Sequence, residues 1–427
     1  MLHVNIMRDD RARVEEGLRK RNFSEDQLAL VDRVIQLDDV RKATQTGLDE
    51  HLSKVNKYSK EIGALFKNGQ KDKANVMREL VASEKDHIKM LEGRAKEVEV
   101  ELKEALFLLP NIPHHSVAKG DGDDDNEVVQ DWDGAWPTFE GFAAEPHWEL
   151  ASRYNLIDFK LGVKITGSGF PLFRGKGAQL ERALINFFLD EARLAGYEEV
   201  APPLLVNEDS ATATGQLPDK EGQMYHTELD NLYLIPTAEV PVTNIFRDEI
   251  VDFDELPIKL TAYTPCFRRE AGSYGADVKG LNRVHQFDKV EIVQFALPST
   301  SYEILQEMVE HVKSLLLKLE LPFRILRLCG GDLGFTSALT FDFEVYSAAQ
   351  EKWLEVSSVS NFESFQSNRL KVRYRKGKEK PQLVHTLNGS ALALARIVAA
   401  ILENNQTAKG INIPEVLHKY TGFTEIS

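Results

Sequence analysis

Cysteine is nearly absent: the 427 residues include two, Cys266 and Cys329. The lack of a C-x-x-C pair and of a dense Cys/His cluster argues against a disulfide scaffold and against a cysteine-based structural zinc site. Two separate thiols suit a reducing cytoplasm. Long apolar runs are missing too. The longest, Ala391 to Leu402, is broken by Arg396 and falls short of the roughly 20 residues that cross a bilayer. The first ten residues lack the cationic stretch and apolar run of a secretory signal. Neither G-x-G-x-x-G on a βαβ unit nor G-x-x-x-x-G-K-[ST] occurs, so any bound nucleotide is held without a Rossmann or P-loop cradle. Finally, 52 Lys and Arg face 67 Asp and Glu, a net charge of −15. That balance argues against nonspecific coating of nucleic acid, because a negative surface repels phosphate.

What remains is a soluble chain of two-domain length, with 42% apolar residues for a core and 28% charged residues for a solvated surface. Proline is missing between about residues 28 and 106, where Lys, Glu, Leu, Ala and Val dominate. Leu48, Leu52, Val55, Ile62 and Leu65 in the first half, and Met77, Leu80, Ile88, Leu91, Ala95, Val98 and Leu102 in the second, step by three and four. This is the seam of a coiled coil. Lys67-Asn68-Gly69-Gln70 between them suits a tight reversal. The pattern predicts an antiparallel helical hairpin, each arm about 35 residues and about 50 Å long. Its tip concentrates positive charge: Lys54, Lys57, Lys60, Lys67, Lys71, Lys73 and Arg78 against Glu61 and Asp72. Such a tip is either a plain solvated helix end or a phosphate-binding surface, and charge alone does not choose.

Leu109-Pro110-Asn111-Ile112-Pro113 stops the hairpin. The acidic, glycine-bearing stretch Lys119 to Glu127 reads as a mobile polar linker. The expected organisation is therefore an N-terminal domain over 1–112, a linker over 113–135 and a core over 136–427. In the core, helices are expected over Ala178 to Leu194, Tyr302 to Leu319 and Gly389 to Asn404. Strands are expected at Glu199 to Val206, Leu232 to Ile235, Leu260 to Tyr263, Lys289 to Phe295, Thr340 to Tyr346, Trp353 to Ser357 and Leu383 to Leu387. Strands without regular βαβ alternation predict an α+β fold: an antiparallel sheet flanked by helices.

Four segments could carry chemistry. Cys266 to Ser273 and Arg283 to Glu291 flank a glycine-bearing loop. Strands joined this way would gather Arg268, Glu270, Arg283 and Phe287 around one space, where guanidinium forks grip phosphate and an aromatic ring stacks on a base. Cations and an aromatic on a hairpin equally suit a solvated strand face. Arg396 lies in a mostly apolar segment after Gly389 and needs an anion, either an internal carboxylate or a ligand phosphate. Thr237-Ala238-Glu239 ends a strand-like run, and its carboxylate suits a substrate ammonium or merely a helix start. Asp342, Glu344, Glu355 and Ser358 offer oxygen ligands for Mg²⁺, or are surface acids.

Together the segments resemble one family. Phe267-Arg268-x-Glu270 is similar to motif 2 of class II aminoacyl-tRNA synthetases, Gly389 to Arg396 to their motif 3, and Gly196-Tyr197 through Pro203-Leu204 to motif 1, whose proline packs at a dimer interface. Thr237-Ala238-Glu239, the run Arg283 to Glu291, Thr386-Leu387-Asn388-Gly389-Ser390 and the hairpin narrow the resemblance to seryl-tRNA synthetases, over essentially the whole chain.

The resemblance implies an ATP-dependent ligase that joins L-serine to tRNA-Ser, and to tRNA-Sec where a host has one, in a cytoplasmic homodimer with no membrane role. It implies ATP against Arg268, Arg269, Glu270, Val284, Phe287, Glu355, Val356, Ser357, Ser358 and Arg396, with Arg268 on the α-phosphate and Arg396 on the γ-phosphate as the catalytic pair. It implies serine against Thr237, Ala238, Glu239, Arg268, Glu291, Asn388 and Ser390. Glu355 and Ser358 would hold Mg²⁺, and the basic residues from Lys54 to Arg78 would hold the long variable arm of the tRNA. Two positions depart from the pattern: Val359 replaces a common cysteine, and Lys279 a common arginine of the motif 2 loop. Related ligases that charge a carrier protein lack the arm, and a non-catalytic descendant would be expected to have lost an ATP-gripping arginine. Both features are present here.

Overall fold

A helix begins where Ser24 caps it. Its hydroxyl accepts from the Gln27 N–H while the Gln27 side chain accepts from the Ser24 N–H, so two otherwise unpaired donors are satisfied. The computed structural model, which describes residues 1–219, 221–270 and 279–427, continues this helix as α1, Glu25–Lys67. After Asn68 and Gly69, whose φ of +75° suits glycine, α2 runs back as Lys71–Phe107. The chain divides into two compact units. Residues 1–19 and 23–110 form one, and residues 20–22 and 111–427 the other.

In the first unit α1 and α2 pack along their length. The expected hairpin is present, and its seam matches the expected one except at two positions. Leu52 and Leu80 are 42% and 43% exposed. The less exposed positions near the tip run 48, 51, 55, 58, 62, 65 on α1 and 74, 77, 81, 84, 88, 91 on α2. His51, Tyr58 and Glu84 therefore occupy seam positions that a search for aliphatic residues passes over.

The second unit is built on an eight-stranded sheet: β1 Glu127–Gln130, β2 Glu198–Glu199, β3 Ile258–Phe267, β4 Gln286–Ala296, β5 Phe323–Arg327, β6 Leu339–Ser347, β7 Lys352–Asn361 and β8 His385–Ala393. Its order is β1-β5-β6-β7-β8-β4-β3-β2. Every neighbour pair is antiparallel except β2 with β3. Val290 and Ile292 of β4 join the main core, which also contains residues of three helices, α3 Lys176–Leu194, α4 Ser301–Lys318 and α5 Leu394–Asn404. Val293 and Phe295 join a second cluster. Alternation along the strand thus turns Lys289 and Glu291 away from the main core. β4 is buried on both faces from Lys289 onward, although Lys289, Glu291 and Gln294 interrupt its apolar residues.

Three local expectations are corrected. Glu199 to Val206 is not one strand: Glu198–Glu199 and Leu205–Val206 are separate short pieces around Pro202-Pro203, since proline lacks the ladder donor. Gly389 does not open a helix but lies inside β8, and α5 starts at Leu394. Small residues there serve close strand packing: a Cβ on Gly389 would lie 3.2 Å from a Val359 methyl. The stretch 113–135 is not linker throughout, since Glu127–Gln130 pairs with β5 as an edge strand.

Candidate active site

The first signal of a site is a β-hairpin bearing charge at its open end. β3 and β4 pair from Ile258 and Phe295 to Phe267 and Gln286. Just beyond, the Arg268 N–H donates to the His285 carbonyl at 2.9 Å, and the Arg268 carbonyl lies 3.0 Å from His285 Nδ1. This double tie aims the Arg268 side chain. Its guanidinium lies 5.3 Å from the centre of the Phe287 ring, and its Nε donates to the Pro236 carbonyl at 3.3 Å. Glu270 pairs with Arg283 at 3.1 Å. Ala271-Gly272-Ser273, also expected in this motif, lie outside the described residues.

Arg268, Glu270 and Arg283 line a cavity of about 640 Å³, a size that suits a small-molecule substrate. Arg396 from α5 reaches the same cavity. Its Nε donates to the Asn282 carbonyl at 3.0 Å and its Nη1 to the Glu355 carbonyl at 2.5 Å. Among the described residues no carboxylate forms an ion pair with it. Burial lowers its pKa, Glu355 and Glu270 oppose that, and the charges of Arg268 and Arg283 lower it further. Several guanidinium groups around one cavity have the charge and the paired donors that a polyanion needs.

A loop fixed by a buried network supplies the Asn282 carbonyl. His147 Nε2 accepts from the Leu281 N–H at 2.8 Å, so Nδ1 carries the proton directed at Glu403, 2.7 Å away. Burial would raise the Glu403 pKa, but hydrogen bonds from His147 and Ser347 outweigh it and hold the carboxyl below its usual range. Gly280, at φ +66°, lies against His147, and a Cβ there would fall 2.2 Å from Nε2.

Deeper in the cavity lies a compact niche. Glu291 Oε2 accepts from the Thr237 hydroxyl and from the Glu239 N–H, both at 2.5 Å. Lys289 pairs with the same carboxylate and donates to Thr237 Oγ1 at 3.1 Å. Glu239 accepts from Gln366 at 2.6 Å. Burial and the neighbouring Glu291 push the Glu239 pKa up to about 7. Ser390 faces Glu291 across the β8–β4 pairing. Asn388 also lines the cavity, and among the described residues its buried amide nitrogen has no partner. Two acids beside one lysine leave this niche short of one cation.

On the opposite wall the β6–β7 register sets Asp342 against Ser358 and Glu344 against Glu355. Ser358 donates to Glu355 at 3.3 Å. Burial first, then Glu355, raise the Asp342 pKa well above the ordinary carboxylate value. Asp342 Oδ1 is buried without a hydrogen-bond partner among the described residues.

Comparison with known proteins agrees with this geometry. Residues 1–113 match the seryl-tRNA synthetase N-terminal domain, and residues 224–405 the tRNA synthetase class II core domain (G, H, P, S and T). A serine–tRNA ligase of Salinibacter ruber is 52% identical over 428 residues, covering 100% of this chain and 99% of that one. The chain belongs to the seryl-tRNA synthetase family. A seryl-tRNA synthetase from Pyrococcus horikoshii, solved with ATP, matches at TM-score 0.91 and 33% identity over 100% of this chain and 99% of that one. The cytoplasmic enzyme of Naegleria fowleri, solved with AMP, matches at 0.87 and 27%, with the same coverage.

Of the residues that seryl-tRNA synthetase motifs nominate, Thr237, Glu239, Arg268, Glu270, Val284, Phe287, Glu291, Glu355, Val356, Ser357, Ser358, Asn388, Ser390 and Arg396 all line the one cavity. Two do not. Arg269 is exposed, with its N–H bonded to the Gln223 carbonyl, and Ala238 is fully buried just before the Glu239–Thr243 helix. Lys289, Asn282, Asp342 and Gln366 belong to the site although sequence reasoning gave them no settled role. Lys289 stood in a quoted motif, and only its contact with Glu291 exposes its part. Lys279, one of the two departures from the family pattern, places its ammonium 4.5 Å from the Trp148 ring centre. The seven basic residues from Lys54 to Arg78 belong to the first unit and are all exposed.

Proposed function

We propose that this cavity activates L-serine with ATP and then passes the seryl group to tRNA-Ser. The chain is an ATP-dependent ligase of the seryl-tRNA synthetase family, and the observation that carries the assignment of roles is the joint presence of Arg268 and Arg396 around a cation-deficient niche. Arg268 holds the α-phosphate, with Phe287 and Arg396 enclosing the adenine, Glu270 near its amino group, and Arg396 on the γ-phosphate. Glu239 and Glu291 receive the serine ammonium and hydroxyl, beside Thr237, Asn388 and Ser390.

A serine carboxylate oxygen attacks the α-phosphorus, the bond to the bridging oxygen breaks, and pyrophosphate leaves with the electron pair. No proton moves and no covalent enzyme intermediate is needed. Positioning and charge complementarity do the work. In the second step a hydroxyl of the terminal tRNA ribose attacks the seryl carbonyl, the bond from that carbon to the phosphate oxygen breaks, and AMP departs while the hydroxyl proton passes to the leaving phosphate. Oxygen donors suit Mg²⁺, and the buried free Oδ1 of Asp342 beside Glu355 and Ser358 supports a site for it there. Bound there, the ion would neutralise charge on the phosphates.

The basic hairpin tip is assigned to the variable arm of tRNA-Ser, and of tRNA-Sec where one exists, by backbone contacts that follow shape. Residues 1–112 then form the tRNA-binding domain and 136–427 the catalytic core, joined through 113–135, of which Glu127–Gln130 adds an edge strand to the core sheet. Exposed Leu194, Leu204 and Leu205 around motif 1 support a homodimer. No helix among the described residues is long and apolar enough to cross a membrane, and we place the enzyme in the cytoplasm.

The deciding experiment is ATP–pyrophosphate exchange across serine, threonine, alanine, glycine and cysteine. Serine should dominate, with alanine about 10⁴-fold poorer because the hydroxyl's partners are left unpaired, and threonine about 10–200-fold poorer on steric grounds alone. Arg268→Ala should abolish exchange with the fold intact. Normal exchange by that variant would overturn the role given to Arg268.

A further inference from the structure

Midway along the hairpin, the seam of apolar side chains is interrupted by a polar layer. His51 of α1 and Glu84 of α2 occupy facing seam positions and hydrogen-bond through Nδ1 and Oε2. On its own, a polar pair at a seam position fixes the register of two helices, and no third group is required for that. Yet His87, one turn beyond Glu84 on α2, stacks its ring on His51, with centroids 5.0 Å apart and planes 23° from parallel. Donor atoms of His51, Glu84 and His87 all lie within 4.8 Å of one another.

We propose that His51, Glu84 and His87 form a binding site for a divalent transition-metal ion of the zinc type, which ties α1 to α2.

The chemistry of the donors selects the ion. Two imidazoles and one carboxylate suit zinc and its neighbours, whereas all-oxygen sets suit Mg²⁺ or Ca²⁺. The spacing follows from helix geometry. Glu84 and His87 stand three residues apart, hence on one face, and His51 arrives from the partner helix. Tetrahedral zinc at about 2.0–2.1 Å from each donor wants donor atoms about 3.4 Å apart. Reaching that spacing requires the His51–Glu84 pair to part and the exposed His87 side chain to turn towards it. The ion replaces the His51–Glu84 hydrogen bond and leaves one coordination position to water. His51 lies 16 residues before Lys67, the last residue of α1, so the clamp sits about 24 Å from the tip. It is remote in sequence from every residue assigned to ATP or serine.

The test uses the untagged full-length protein, stripped with EDTA and titrated with ZnCl₂ in competition with a chromophoric chelator. One tight equivalent per chain is expected. His51→Gln and His87→Gln should each weaken it by more than about 100-fold, since direct ligands matter more than the outer partners whose loss costs about 10–100-fold. Co²⁺ should give visible d–d bands in the native protein and not in the variants. Serine-dependent exchange should be the same in all three proteins, which controls for folding of the core. Because the His87 side chain is exposed, His87→Gln decides the matter even if His51→Gln disturbs the hairpin. The proposal is overturned if the native protein binds no tight equivalent, or if that equivalent survives in His87→Gln.

Discussion

In the proposed role, Glu239 and Glu291 hold charge ready for a ligand before it arrives. Two carboxylates share a buried niche with the ammonium of Lys289. Glu291 takes the lysine and two further donors, and Glu239 is left with the pKa near 7. Below that pH, Glu239 in the free enzyme holds its proton and offers no charge to an incoming ammonium; above it, the attraction is complete. Since kcat/KM reports ionisations of the free enzyme, kcat/KM for serine in pyrophosphate exchange should climb between pH 6 and pH 8. The climb should flatten in Glu239→Gln, which cannot ionise. A step that persists in Glu239→Gln would assign the titration to another group. Asp342 presents the same physics on the opposite wall, with burial and Glu355 raising its pKa and one buried oxygen left without a partner. Asp342→Asn should raise the Mg²⁺ concentration needed for half-maximal exchange while leaving the KM for serine nearly unchanged. An unaltered Mg²⁺ dependence would count against the metal position.

At the scale of elements, the site depends on how strands and loops are tied. The loop carrying Leu281 and Asn282 is fixed to α5 through His147 and Glu403, both fully buried. His147→Ala would leave the Glu403 charge short of its main partner, a change that typically costs about 3–5 kcal/mol. A lower thermal unfolding midpoint is expected, together with a higher KM for ATP, because the Asn282 carbonyl that orients Arg396 would lose its support. Loss of stability with an unchanged KM would show that the network supports the fold and not the arginine. The elements also show where the sequence was legible. The hairpin, the long core helices and the central strands were readable from periodicity and turn residues. The edge strand β1 was not, because Glu127–Gln130 is short, mostly exposed and preceded by a run of acids. The strand character of Gly389 to Ala393 was hidden as well: its small apolar residues suit a buried strand as well as a helix, and only pairing with β4 and β7 decides.

For the whole molecule, charge is distributed against its own total. The chain carries −15, yet Lys54 to Arg78 holds seven basic and two acidic residues. In the proposed role, an acidic remainder would repel the tRNA backbone where contact is unwanted and the basic tip would attract it where contact is wanted. Removing Asp32 to Leu102 should therefore leave serine-dependent exchange largely intact and eliminate tRNA charging. In the intact protein the KM for tRNA should rise with salt much more steeply than the KM for serine, because phosphate contacts release counterions. Charging that survives the deletion would remove the role given to the arm.

The sequence by itself determined the family, the two-part organisation in outline, the two arginines proposed to act on ATP and most of the residues that line the cavity. It could do so because these groups lie in contiguous motifs whose residue types are dictated by phosphate, ammonium and adenine chemistry. Only the tertiary structure decided that Lys289 balances Glu291, that Gln366 steadies Glu239 from 127 positions away, that His147 and Glu403 brace the Arg396 loop across 256, and that Arg269 and Ala238 stand outside the cavity. Desolvation, hydrogen bonding and charge coupling act between neighbours in space, and the order of residues along a chain does not state which side chains become neighbours.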